Sequence, residues 1–283
     1  MKNKITISDI QKYKDTQVPL STITVYDYPT SLIINSLEIP MVLVGDSASM
    51  VVYGYNNTTP ITMDELLLIT KSVHRGIDRA LIVADMPFMS YQPSNVDAVK
   101  NAGKFIKKGG AGAVKLEGGV EYLERILKII EAGIPVMGHL GLQPQSILKE
   151  SGYKIQGKSL KEALKIYNDA IALDQAGVFA IVLEGIPHEL AQIITEKISV
   201  PTIGIGAGKK CDGQIQVLHD LIGSFDSKIP KHAKKYINNY TIIQDVLENY
   251  CSDVVNKKFP NKTNSVAMSP AELLKLKKKI ENI

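Results

Sequence analysis

The sequence predicts an α/β chain folded as one (β/α)8 barrel, on three observations. Short, nearly continuous apolar runs recur along the chain. Segments with helical periodicity separate them. The length of 283 residues suits a single barrel, which needs roughly 250.

The runs are TITVYDY (22–28), MVLVGD (41–46), ALIVAD (80–85), AVKLEG (113–118), PVMGHLG (135–141), AIVLEG (180–185), TIGIGAG (202–208) and a weaker IQVLHD (215–220). Strands of a parallel sheet are covered on both faces, so they read as unbroken apolar stretches rather than alternating ones. Eight candidates select a closed barrel over an open sheet. The last pair is separated by only about ten residues, short for a parallel crossover. Either the seventh helix is a single turn or the eighth strand lies elsewhere.

The helices carry their own signals. An extra N-terminal helix is expected over 7–15. Thr62 and Glu65 form a capping box before LLLITKSVHRG, and Ser94 can cap the helix containing Ala98 and Phe105. Pro187 fits the first turn of HELAQIITEKI, where its missing N–H costs nothing. Residues 160–176 and 241–250 also show helical spacing. The stretch 141–159 is rich in Gly, Pro, Ser and Gln and reads equally as a lid or as a packed surface loop. The expected organisation is one catalytic barrel over 1–262 and a C-terminal extension over 263–283, a short helix capped by Ser269 and Glu272.

Composition narrows the function. Hydrophobic residues make up 45% and charged residues 22%, as in a globular domain. The net charge of +4 is spread along the chain without a basic stripe, which argues against nucleic-acid binding. Cys211 and Cys251 are the only cysteines, so no disulfide scaffold or zinc spacing exists. No apolar run is long enough for a membrane span, and the N-terminus has no apolar signal region. A cytoplasmic location is expected.

Acids close four of the runs: Asp46, Asp85, Glu117 and Glu184. In this fold the C-terminal strand ends face the active site. Lys115 lies two residues before Glu117, so both point the same way, and the fifth run carries His139. Four carboxylates around one cavity raise each other's pKa, and a cation relieves them. Mg²⁺ suits oxygen ligands and needs only one or two carboxylates; with no cysteine and one histidine in the set, zinc and copper are disfavoured. Taken singly, each acid reads as a helix cap or turn residue, and His139 as a satisfied core histidine. Together the six point to a site. The GIGAG run (204–208) does not match the dinucleotide fingerprint and reads first as close packing at a tight turn.

The blocks YDYPT (26–30), VLVGDS (42–47), ADMPFMSY (84–91), VKLEGG (114–119), GHLGLQPQS (138–146), GYKIQG (152–157), VLEGIP (182–187), IGIGAG (203–208), CDGQIQVLHDLIG (211–223) and IPKHAKKY (229–236) resemble the ketopantoate (3-methyl-2-oxobutanoate) hydroxymethyltransferase family across nearly the whole chain. The resemblance implies a TIM barrel of the phosphoenolpyruvate/pyruvate-like type. It implies transfer of a hydroxymethyl group from 5,10-methylenetetrahydrofolate to the 2-oxo acid 3-methyl-2-oxobutanoate, giving 2-dehydropantoate for pantothenate and coenzyme A synthesis. It also implies Mg²⁺ held by Asp46 and Asp85 with help from Glu117, substrate bound through Asp46, Ser47, Asp85, Lys115 and His139, Glu184 as general base, and a homo-oligomer, expected as a decamer. The segment FPNKTNSVAM (259–268) departs from the family's FPxxEHSF-like ending. The rival expectations are a Mg²⁺-dependent C–C lyase of the isocitrate lyase-like type, although no KKCGH-like segment occurs, and a barrel that binds a metabolite without catalysis.

Overall fold

The computed structural model describes residues 4–150, 152–226 and 229–282. Its eight strands are β1 (Leu20–Thr24), β2 (Met41–Val44), β3 (Leu81–Asp85), β4 (Ala113–Glu117), β5 (Val136–Gly141), β6 (Ala180–Glu184), β7 (Thr202–Ile205) and β8 (Gly213–Gln216). Each pairs in parallel with the next, and β8 closes on β1. The predicted barrel is therefore present.

The helices are α1 (Ile7–Asp15), α2 (Tyr28–Ser36), α3 (Ala48–Val51), α4 (Met63–Gly76), α5 (Asn95–Lys104), α6 (Leu123–Glu131), α7 (Ile147–Glu150), α8 (Leu160–Ala176), α9 (His188–Lys197), α10 (Leu218–Ile222), α11 (Asn239–Val255) and α12 (Pro270–Ile280). The expected caps form. Thr62 and Glu65 close a reciprocal box on α4, and Ser94 accepts from the Asp97 N–H at the start of α5. Ser269 likewise accepts from the Glu272 N–H at the start of α12.

Alternation along the strands builds two cores. On β4, Ala113 joins the barrel interior, while Val114 and Leu116 join the layer between barrel and helices. On β3, Leu81 and Val83 point in, and Ile82 and Ala84 point out. The same rule sends Met137 of β5 and Val182 of β6 inward. At the strand starts, Ile10 of α1 packs fully buried into the interior cluster, and Lys14 donates to Asp212, which immediately precedes β8. The extra helix thus closes the end of the barrel opposite the acids.

Local differences from the sequence reading have identifiable causes. β1 stops at Thr24, because Asp27 caps α2 by accepting the Thr30 N–H at 2.7 Å, with Pro29 in the first turn; an acid followed by proline starts a helix. Pro187 sits at the N-cap of α9 rather than inside it, with an extended ψ of 136°. The eighth strand starts earlier than expected, at Gly213, and no helix lies between β7 and β8. The connection 206–212 suffices because only two residue pairs, Ile203 with Gly213 and Gly204 with Gln214, join these strands. The chain falls back by only a few residues of strand height, about 3.3 Å each. α11 is longer than the predicted 241–250.

The contacts divide the chain into two compact units, Met1–Leu221 with Lys228–Lys235, and Ile222–Ser227 with Tyr236–Ile283. The segment 236–262, which the sequence reading joined to the barrel, groups with the C-terminal stretch. In that second unit α11 and α12 bury none of their residues, and Tyr250 packs edge-on against Phe259 with ring centroids 5.7 Å apart. Among the described residues no helix is long and apolar enough to cross a membrane.

Candidate active site

The inward columns of β3 to β6 end in charge. Strand register sets Asp85 beside Lys115, Glu117 beside His139, and Gly141 beside Glu184. Asp85, Lys115, Glu117 and His139 are buried. Asp46 lies just beyond β2 and is also buried. With Ser47 and Glu184 they line a cavity of about 500 Å³ at the C-terminal end of the barrel. All seven residues singled out in the sequence therefore meet in one place.

Asp85 is the hub. One carboxylate oxygen accepts from Lys115 Nζ at 2.6 Å, and the other accepts the Asp46 N–H at 3.0 Å. Burial works against the charge on Lys115, but Asp85, Glu117 and Asp46 outweigh it and hold the ammonium above the usual lysine range. Burial and the neighbouring Asp85 push the Asp46 carboxyl up to about 7. Burial, then Asp46, raises Glu117 well above the usual carboxylate range. His139 is held below the usual histidine range by burial and by Lys115, so it is neutral at pH 7. Its Nδ1 lies 3.4 Å from Lys115 Nζ. Its Nε2 lies 3.2 Å from Glu184 Oε2 without hydrogen-bond alignment. The Ser47 hydroxyl shares a 2.7 Å hydrogen bond with that of Tyr26.

Backbone geometry at Gly141 joins this site to the loop that follows. Its φ is +95°, and a Cβ there would stand 2.2 Å from the Glu184 carbonyl oxygen. Only glycine lets β5 pass this close, after which the Leu142 N–H donates to that same carbonyl at 2.8 Å. Leu142, Pro144, Tyr153 and Ile155 then line the cavity, and the Gln156 N–H donates to the Gly185 carbonyl at 2.9 Å. Ser151, within the same 141–159 stretch, lies outside the described residues. The GIGAG turn packs closely, as expected: a Cβ at Gly208 would meet His188 Cβ at 2.4 Å.

Oxygen donors dominate the site, and Glu117 Oε1 is buried with no hydrogen-bond partner. Among the described residues no three His, Cys, Asp or Glu side chains form a ready-made metal cage. Such a set fits a hard cation that takes one or two carboxylates and completes its shell with water and substrate.

Sequence reasoning missed Gln145, Tyr91 and Tyr153. Gln145 is buried between Asp46 and Glu117, Tyr91 holds Gln145, and Tyr153 lies over the cavity. The polar block GLQPQS held the only local signal for Gln145. Tyr91 and Tyr153 lie in the blocks ADMPFMSY and GYKIQG, but their residue type alone does not separate them from packing tyrosines.

A family model described as ketopantoate hydroxymethyltransferase matches residues 4–262. The chain is 50% identical over 275 residues to a 3-methyl-2-oxobutanoate hydroxymethyltransferase of Dehalococcoides mccartyi, covering 97% of this chain and 99% of that one. It is 49% identical over 268 residues to the enzyme of the same name from Carboxydothermus hydrogenoformans, covering 95% and 97%. Among solved structures, a phosphonopyruvate hydrolase in complex with oxalate and Mg²⁺ superposes with a TM-score of 0.59 at 10% identity, covering 98% of both chains. That last likeness shows the fold alone.

Proposed function

Because the chain belongs to the ketopantoate hydroxymethyltransferase family, we propose that it transfers a hydroxymethyl group from 5,10-methylenetetrahydrofolate to 3-methyl-2-oxobutanoate, giving 2-dehydropantoate. The observation that carries the reading is the buried Asp85–Lys115 pair at 2.6 Å, facing one cavity with Asp46, Glu117 and Glu184. Asp46 and Asp85, assisted by Glu117, are the residues that would hold Mg²⁺. When bound, that ion supplies Lewis-acid polarisation of the 2-oxo oxygen and balances the clustered carboxylates.

The chain's own groups do the rest. Ser47 and Lys115 bind the substrate's carboxylate and 2-oxo oxygens, and neutral His139 contacts the same oxygens. Glu184 takes the C3 proton; the C3–H electron pair forms the C2=C3 double bond, and the C=O π pair moves onto the 2-oxo oxygen. Lys115, fixed and desolvated, favours negative charge on that oxygen. One water adds to the methylene carbon of the folate and tetrahydrofolate leaves; C3 bonds to the carbonyl-level carbon so released, and its oxygen takes up the proton that Glu184 removed, giving the hydroxymethyl group. The apolar cover from Leu142, Tyr153 and Ile155 keeps bulk water from the reactive carbon while the one water that the reaction consumes enters with the folate.

The C–C lyase alternative relied on a cysteine-bearing loop. Here Cys211 is buried beside Gly204 and does not line the cavity. Family membership supports assembly as a homo-oligomer, proposed as a decamer. Exposed Val246, Leu247 and Val255 of α11 supply apolar surface for it; a monomeric mass in sedimentation would rule assembly out.

The direct test incubates the protein with 3-methyl-2-oxobutanoate, methylenetetrahydrofolate and Mg²⁺. Product is expected only when all three are present, and chelation should abolish it. Product formed without the folate, or undiminished by chelator, overturns the reading.

A further inference from the structure

We infer that Gln145 is a positioning residue that decides which oxygens of Asp46 and Glu117 face the cavity; the inference rests on the proposed function above. Gln145 sits in the one-turn 3-10 helix Pro144–Ser146 after β5 and is 5% exposed. Its Nε2 donates to Asp46 Oδ2 at 2.9 Å and to the Met86 carbonyl at 3.0 Å. Its Oε1 accepts from Gln92 Nε2 at 3.2 Å and lies 3.1 Å from the Tyr91 hydroxyl, whose one proton it shares with the Glu117 carbonyl at 3.0 Å. Both donors of the amide are used, and its oxygen faces two donor groups, one of them shared. A reversed amide would set its oxygen against the Asp46 carboxylate and the Met86 carbonyl, so the orientation is fixed.

The backbone of the same residue reaches the second acid. The Gln145 N–H donates to Glu117 Oε2 at 3.0 Å. Two carboxylates, one just beyond β2 and one ending β4, therefore each give one oxygen to one loop residue. What remains is asymmetric: Glu117 Oε1 has no hydrogen-bond partner, and among the described residues Asp46 Oδ1 accepts no hydrogen bond. Neither oxygen has a hydrogen bond to lose when a cation binds; Glu117 Oε1 is buried with His139 Nδ1 beside it at 3.6 Å. A neutral amide suits the task, because it fixes a carboxylate without cancelling the charge a cation needs. Lysine would cancel that charge, and a carboxylate would repel it.

Gln145→Met separates this role from simple packing. Methionine keeps the shape and the backbone N–H to Glu117 but removes the donor to Asp46. Residues that orient metal ligands typically change metal affinity or activity by 10–100-fold when lost. Mn²⁺ binding, followed by the spin-resonance signal of the free ion without substrate, should weaken about 10-fold. The melting temperature in chelator should stay close to the parent's. Unchanged Mn²⁺ affinity with a lowered melting temperature would show a merely structural residue and overturn the inference. If Gln145→Met fails to fold, Tyr91→Phe gives the same reading, since it removes the hydroxyl that bridges the amide oxygen and the Glu117 carbonyl. A weakening of several-fold is expected, and unchanged affinity overturns the inference.

Asp46→Asn distinguishes this inference from its premise. Loss of Mn²⁺ binding in Asp46→Asn but not in Gln145→Met sinks the role of Gln145 and leaves the proposed function standing. Absence of Mn²⁺ binding in the parent protein sinks both.

Discussion

On β3, Val83 packs into an apolar interior cluster with Leu81, Met137 and Ile203. Two residues further along the same side, Asp85 is buried against Lys115 at 2.6 Å. β5 repeats the contrast with Met137 and His139, and β6 with Val182 and Glu184. The lower interior of the barrel buries apolar area and stabilises the fold. The mouth buries like charges, whose pKa values burial and mutual repulsion raise, and leaves Glu117 Oε1 without a hydrogen bond. Burying such groups opposes folding, so the mouth is held in place by the register and packing of the layers beneath it. Strain concentrated in this way, on a rigid apolar base, is what a preorganised site requires.

The comparison is broken most forcefully at Glu184. Glu184→Gln should slow solvent exchange of the substrate's C3 proton by about 100-fold or more, the usual range for loss of a general base. Affinity for the oxo acid should persist. Proton NMR in D₂O reads the rate, and exchange at the parental rate removes Glu184 from the reaction.

A middle-sized effect concerns stability. Asp85→Ala leaves Lys115 buried without its partner and should cost about 3–5 kcal/mol in urea denaturation. Replacing the pair by apolar residues, Asp85→Leu with Lys115→Met, should recover that loss or exceed it, because buried pairs often gain nothing over hydrophobes. C3 exchange should be absent. A double variant as unstable as the single one would mean that the mouth adds to stability after all.

The smallest effect is one of pH. The Asp46 carboxyl is raised in the folded state, from 3.8 to about 7. The folded protein therefore binds more protons than the unfolded chain between those values. Its favourable contribution is full below pH about 4 and is lost as pH rises through about 7. Mg²⁺ requires the ionised form, so its addition should raise the melting temperature more at pH 8 than at pH 5.5. Asp46→Asn should flatten the difference. An equal shift at both pH values would place the cation away from Asp46.

Much of this was legible in sequence because its signals are short-range. Thr62 with Glu65, and Ser94 before α5, are caps within one turn. AVKLE carries Lys115 and Glu117 on one side by alternation alone. The misreadings came from contested local signals. Tyr26-Asp27-Tyr28 followed an apolar run, yet Asp27 and Pro29 open a helix. The β7–β8 link seemed too short for a crossover until the pairing of only two residues made a helix unnecessary.

By itself, the sequence determined the number and order of strands, the side of each on which charge falls, and the family. Alternation, capping and motif blocks are properties of neighbouring residues. Only the tertiary structure decided which oxygens of the acids are held and which are free. That choice depends on Gln145 reaching Asp46 across 99 positions and Glu117 across 28, contacts that exist only once barrel closure has fixed the register of every strand.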